Sequence, residues 1–549
     1  MIVTFTDGKA VEFAKGETLQ RIAHEFPSRP GNPLMAARIN QNLLPLCATV
    51  ETDARIEWVT YDSPVGMEIY QRTASFILFM AVSELYDNSR LAIGHSIANG
   101  FYYDLYMGIP VNQQILAEIS GKMKEIIGRD LPFRRIVLEK SEAIRYFDDR
   151  SMNDSLRLIE YADIDEVQIY ENGRFANFEP FPLAYSTADI AHFELKSYYP
   201  GFVMLFPEQR DFASIPAIGN TRKLFEIYHE SKTWGKILGV NDIGRLNEVI
   251  ASGGISELIK ISESLHEKKI ARIADMTGKR KDDIRLILIA GPSGAGKTTF
   301  SKRLTIHLRA IGIRPLNLSL DNYFVNREIC PRDEKGEFDF EALEAVDIIL
   351  FNEHLREMMQ GKEVDVPKYN FELGRRRPEI QKLRLEDDQM LIVEGIHCMD
   401  NRLTVAVSET NKYKIYVSAL TQLSVDDHNR ISTTDTRLLR RIVRDNKFRG
   451  YSPGEILLRF PSVIRGERKN IFPFQESADV MFNSALVYEL AVLKDFALPL
   501  LASIGSGDES YPEARRLLTF LKLFLSVTAD EIPPTSILRE FLGNSSFRY

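Results

Sequence analysis

The C-terminal half of the chain is predicted to be α/β, a parallel sheet with flanking helices, preceded by a β-rich module and an α+β region. Three observations predict this. Leu286-Ile287-Leu288-Ile289-Ala290 is a continuous apolar run ending at Gly291, the pattern of a strand buried on both faces. Similar runs recur at 316–320, 390–393, 415–417 and 480–482. Helical segments separate them, the alternation expected of a parallel sheet with crossover helices.

The first 60 residues read as short strands with one helix: Ile2–Phe5, a turn at Asp7-Gly8, Ala10–Phe13, then helical spacing over Thr18–Phe26. Residues 61–210 read as mixed α/β, with helices over Tyr70–Leu85 and Val111–Ile127 and a strand at Phe101-Tyr102-Tyr103. Residues 211–283 are helical in pattern and are expected to connect two units, with the Lys/Glu-rich stretch Ser262–Lys281 as a solvated helix face. The sheet-bearing unit is expected over 284–500 and a helical tail over 501–549.

At 549 residues the length suggests three or four domains. Hydrophobic residues make up 44% and charged residues 27%, which excludes a disordered chain, a collagen and a disulfide scaffold. A net charge of −8 argues against a broad basic surface for nucleic acid. Cys47, Cys330 and Cys398 share no CxxC spacing, which speaks for a reducing compartment and against structural zinc. The most apolar stretch, Phe76–Val82, is far too short to span a membrane, and no leader pattern is visible, so the expectation is a soluble cytoplasmic protein.

The first buried strand leads into Gly291-Pro292-Ser293-Gly294-Ala295-Gly296-Lys297-Thr298-Thr299, a full GxxxxGK[ST] match before a helical segment. Glycines let the backbone N–H groups wrap a polyphosphate, Lys297 brings positive charge to it, and the Thr298 hydroxyl suits Mg²⁺. Asp321 ends the next strand, where ligands of an open parallel sheet lie, and could accept the proton of an attacking hydroxyl close to the metal. Glu394 ends the third buried run and is a candidate for the Mg²⁺ shell. Tyr369 and Phe371 offer rings to a small acceptor. Arg437, Arg440, Arg441 and Arg444 recur at helical spacing and could neutralise phosphate charge.

These motifs, with Phe338-Asp339-Phe340, Val366–Phe371, Val393-Glu394-Gly395 and Asp435-Thr436-Arg437-Leu438, stand in the order seen in uridine kinases. The region from about 285 to 490 thus resembles the uridine kinase/phosphoribulokinase family. The resemblance implies a P-loop kinase using ATP and Mg²⁺. It implies Asp321 as base toward a ribose 5′-hydroxyl, Asp339 and Arg437 as acceptor ligands, and Tyr369 and Phe371 beside the base. Thr298, Asp321 and Glu394 would serve the metal, and Lys297, Arg440 and Arg444, with Arg441 and Arg449 in the lid, would act on the phosphates. Glu372-Leu373-Gly374 stands where uridine kinases usually carry a His, which leaves the base open.

Residues 1–60 resemble the β-grasp TGS domain that opens threonyl-tRNA synthetases, and Leu91–Asp104 resembles the editing domain that follows it there. The editing ligands are missing: the HxxxH region reads Gln71-Arg72-Thr73-Ala74-Ser75-Phe76, and no cysteine lies between 48 and 329. His95 and His192 are expected to be structural.

The resulting expectation is a uridine kinase-like phosphotransferase acting on an alcohol group, the 5′-hydroxyl of a nucleoside. Other small hydroxyl acceptors, such as a sugar phosphate or pantothenate, stay open, as does an RNA- or ribosome-associated regulator that uses ATP as a switch. RNA or a small molecule could bind the N-terminal half, and homo-oligomers are open.

Overall fold

The computed structural model describes residues 1–25, 32–334 and 336–548. By internal contacts the chain divides into two units, one of Met1–Thr221, Asp242–Glu248 and Leu423–Arg430, the other of Arg222–Asn241, Val249–Gln422 and Ile431–Tyr549. The helices expected as a connector, Arg222–Leu238, Ile243–Ala251 and Ile255–Gly278, are therefore shared between the units.

The first unit begins with a five-stranded sheet in which Ile2–Phe5 pairs parallel to Ala54–Thr60 and antiparallel to Ala10–Glu12. Its helix is Leu19–Ala23, capped by the Thr18 hydroxyl; Phe26, the expected end of that helix, lies outside the described residues. A helix over Pro64–Leu85 follows, capped by Ser63 with proline in its first turn, where the missing N–H costs nothing. Apolar residues on almost every side of it are buried, which is the mark of a helix enclosed by its neighbours. Antiparallel sheets of four and three strands complete the unit.

The second unit holds a five-stranded sheet of β1 (Leu286–Ala290), β2 (Arg314–Ser319), β3 (Gln389–Glu394), β4 (Lys412–Ser418) and β5 (Val480–Asn483), in the order β2-β3-β1-β4-β5. Each neighbouring pair is parallel. All five residues of β1 are fully buried, as its unbroken apolar run requires. Helix α1 (Lys297–Ala310) follows β1; α2 (Thr433–Arg449) and α3 (Pro453–Asn470) lie between β4 and β5; α4 (Arg539–Leu542) is in the tail, whose last residue, Tyr549, is outside the described residues.

The Lys/Glu-rich helix face differs from expectation. Ser262, Glu263 and His266 are buried, and Glu263 accepts from the Tyr488 hydroxyl at 2.7 Å and pairs with Arg303 at 3.6 Å. Alternation of charge marks a helix surface, but Glu263 is matched by partners far away in sequence. Among the described residues no helix is long and apolar enough to cross a membrane.

Candidate functional site

The site grows from the end of β1. A Cβ on Gly291 would lie 2.0 Å from the Val417 carbonyl oxygen on neighbouring β4, so only glycine lets the chain leave the sheet there. Gly296, at φ +78°, turns the loop into α1, a conformation that side-chain-bearing residues rarely adopt. The first N–H groups of α1 are left without helical carbonyl partners and face anything anionic placed at its start. Lys297 Nζ donates to the Pro292 carbonyl at 3.1 Å, folded back over the loop that Ser293, Gly294 and Ala295 complete.

β2 and β3 are in register with Ser319 beside Glu394, which sets two strand ends side by side. Asp321 follows in a short 3₁₀ turn, Leu320–Tyr323. The Glu394 carboxylate accepts from the Ser319 hydroxyl at 2.8 Å and from Thr298 at 3.5 Å. Burial first, then the charge of Asp321, pushes the Glu394 carboxyl up to about 7, against the opposing pull of Lys297. Two carboxylates and two hydroxyls, all hard oxygen donors, beside a phosphate loop fit a divalent cation, which would relieve the repulsion between the acids.

Among the residues expected at the acceptor, the Tyr369 and Phe371 rings stand 5.1 Å apart and each meets Phe324, at 5.6 and 6.1 Å. The Tyr369 N–H donates to Asn322, next to Asp321, at 3.4 Å. Arg449 lies over the Phe371 ring at 4.7 Å. Asp339 is buried, which raises its carboxyl above the ordinary range; a Cβ on Gly466 of α3 would lie 3.2 Å from its Oδ1.

The arginines of α2 divide by role. Arg437 donates to the Ser293 carbonyl at 3.1 Å and to Glu467 at 2.6 Å. Arg440, wholly buried, donates to the carbonyls of Gly294 and Ser484 and pairs with Glu489. Arg441, Arg444 and Arg449 converge on Asp445, at 3.1, 2.8 and 3.6 Å. Burial would raise the Asp445 carboxyl, but Arg444, Arg449 and Arg441 hold it below its ordinary value.

Arg440 was expected among the groups acting on phosphate, yet its guanidinium pins the loop to the segment after β5. Arg440→Met would leave Glu489 buried without its partner. The expected loss is about 3–5 kcal/mol of stability, read from denaturant unfolding, and replacing Glu489 by leucine as well should recover much of it. Unchanged stability with lost turnover would show a catalytic group instead.

Glu467 and Glu540 were not legible in the sequence. Glu467 is fully buried and accepts from the Ser293 N–H at 2.9 Å. Glu540 accepts from the N–H and hydroxyl of Thr299, at 3.1 and 2.7 Å.

In the first unit the editing-like positions are filled by core contacts. Arg72 donates to the Pro182 carbonyl at 2.9 Å, Thr73 accepts from the Ala184 N–H at 2.9 Å, and Ser75 bonds Tyr103 at 2.7 Å. Burial, then Arg430, pushes His95 down to about 3, and the backbone N–H of His192 donates to the Tyr70 hydroxyl. The segment Leu423–Arg430 belongs to this unit: His428 stacks on Phe79 at 3.8 Å and bonds Asn177 at 2.9 Å.

A glycine-rich loop between a central buried strand and a helix, with acids ending the neighbouring strands, defines a nucleotide-binding P-loop domain. Residues 286–491 match the Phosphoribulokinase / Uridine kinase family, and the chain carries a domain of that family there. The N-terminal part is similar to threonine–tRNA ligases, at 34% identity over 195 residues for that of Rubrobacter xylanophilus and 31% over 196 for that of Acetivibrio thermocellus. Each match takes in 36% of this chain, and the chain spans only 30% and 31% of the length of those ligases. Among solved structures, one described as a possible uridine kinase from Bacillus stearothermophilus is 19% identical, with a TM-score of 0.25 over 37% of this chain and 89% of that one. D-glycerate 3-kinase from Cryptococcus neoformans is 13% identical, with a TM-score of 0.22 over 48% of this chain and 89% of that one.

Proposed function

We propose that the chain is a kinase that transfers the γ-phosphoryl of ATP to the 5′-hydroxyl of a nucleoside-type acceptor. The observation that carries this is the pairing of strand ends: Asp321 and Glu394 leave adjacent parallel strands beside Thr298 and the loop, with the Tyr369–Phe371 ring pair next to Asn322. A switch that only hydrolyses ATP has no use for an aromatic pair set beside the turn that carries Asp321.

In this reading the loop N–H groups and Lys297 bind and orient the triphosphate. Thr298 and Glu394, with Asp321 near them, would hold Mg²⁺, which when bound supplies charge neutralisation across the phosphates. Asp321 takes the proton from the acceptor hydroxyl as that oxygen attacks phosphorus. Asp339 and Arg437 border the acceptor, with Arg437 acting through the Ser293 carbonyl and Glu467. Arg444, with Arg441, would neutralise charge on the phosphates, while Arg440 shapes the loop.

The likeness of the N-terminal part to threonine–tRNA ligases favours a second reading, an RNA-linked regulator. We place that half as a non-catalytic binding or sensing module, because its editing ligands are replaced by packed side chains. A coupled ADP-release assay with a panel of nucleosides, other hydroxyl acceptors and tRNA separates the readings. Strict dependence on a nucleoside is expected; ATP hydrolysis stimulated by tRNA without an acceptor would favour the regulator.

A further inference from the structure

We propose that the C-terminal tail is an autoinhibitory plug whose Glu540 carboxylate occupies phosphate-binding donors of the loop and must leave when ATP binds. This rests on the reading of Gly291–Thr299 as the ATP phosphate site.

Thr299 sits in the first turn of α1, where N–H groups have no carbonyl partner within the helix and bind anions. One oxygen of Glu540 takes both its N–H, at 3.1 Å, and its hydroxyl, at 2.7 Å. Two anions cannot share those donors, so a phosphate oxygen and Glu540 exclude each other there. The contact spans 241 positions of sequence, so it is not a local cap but a docked segment.

The tail is also built against the loop. A Cβ on Gly296 would lie 2.5 Å from Ile537 Cγ2, so Ile537 touches the turn that opens α1. Phe541 is fully buried with Arg440 over its ring at 5.0 Å, and Lys447 of α2 donates to the Leu542 carbonyl at 2.6 Å. Arg539 ties the tail to itself through the carbonyls of Ala529 and Ile532. The plug is thus held by α2, the helix that carries the arginines, and its departure would loosen both loop and lid together. Glu467 is the contrasting case. It also accepts from a loop N–H, but it sits on α3, is paired with Arg437 of α2, and is part of the loop's own frame.

A site open only part of the time binds more weakly by that fraction, so a plug docked nine-tenths of the time weakens ATP about tenfold. The test is ATP affinity by titration calorimetry, with melting temperature, for the unaltered chain, Glu540→Ala, Glu540→Gln and Lys297→Ala. The proposal expects ATP to bind at least about tenfold tighter to Glu540→Ala and, with shape kept and charge removed, also tighter to Glu540→Gln. Equal affinity in the unaltered chain and both Glu540 variants overturns the plug while leaving the ATP site intact. Weaker binding with a lower melting temperature shows Glu540 to be a structural cap and also overturns it. If neither the unaltered chain nor Glu540→Ala binds ATP, and Lys297→Ala is no different, the phosphate-site reading itself fails.

Discussion

Asp321→Asn is expected to lower the turnover number by about 10²–10⁴-fold, the range for removing a general base. The change keeps the shape and hydrogen-bonding capacity of the side chain but removes the proton acceptor. ATP affinity should stay close to that of the unaltered chain, because the loop N–H groups and Lys297 carry it. Glu394→Gln is the comparison. It ends the adjacent strand, bonded to Ser319 and Thr298, and weakens the metal shell, so added Mg²⁺ should restore part of its rate. Turnover and ATP binding for both variants across a Mg²⁺ titration separate the roles. Equal rescue would make Asp321 chiefly a metal ligand; near-normal turnover in Asp321→Asn would remove the proposed base.

Lys297→Ala should reduce phosphoryl transfer by at least about 10²-fold, the scale of losing one preorganised charge at a reacting phosphate. Lys297 lies on the loop and its ammonium meets the Pro292 carbonyl, not the core, so the fold should persist. The check is steady-state turnover together with a thermal melt of the same preparation. Full turnover in a folded variant would contradict the phosphate-loop assignment.

The sheet was readable because strands buried on both faces have no polar alternation to confuse the pattern. β1 and β3 lie within a residue of the runs at 286–290 and 390–393. Asp321 and Glu394 come out close together because parallel strands deliver their C-terminal ends to one edge. The arginines show the limit. Spacing at 437, 440, 441 and 444 places them on one side of α2, but a helix side is broad. Arg437, Arg440 and Arg441 all reach the loop, Arg441 through the Ser293 hydroxyl at 3.0 Å, while Arg441 and Arg444 also gather on Asp445. Nothing local in sequence says which of them meets the loop. Glu467 and Glu540 were hidden for a related reason: their partners, Ser293 and Thr299, are 174 and 241 positions away, and each looks like an ordinary acid on a helix. Glu263 is the same case: its charged neighbours predict a solvated face, but it is buried against Tyr488 and Arg303.

The most direct measurement follows the phosphoryl group itself. The chain is incubated with Mg²⁺, the acceptor that best supports ADP release, and ATP labelled with ¹⁸O at the three non-bridging γ-oxygens, and the products are weighed by mass spectrometry. The account predicts a 5′-monophosphate of the acceptor carrying all three labelled oxygens, with the bridging oxygen supplied unlabelled by the acceptor hydroxyl. Label found only in inorganic phosphate, with the acceptor unchanged, would contradict it.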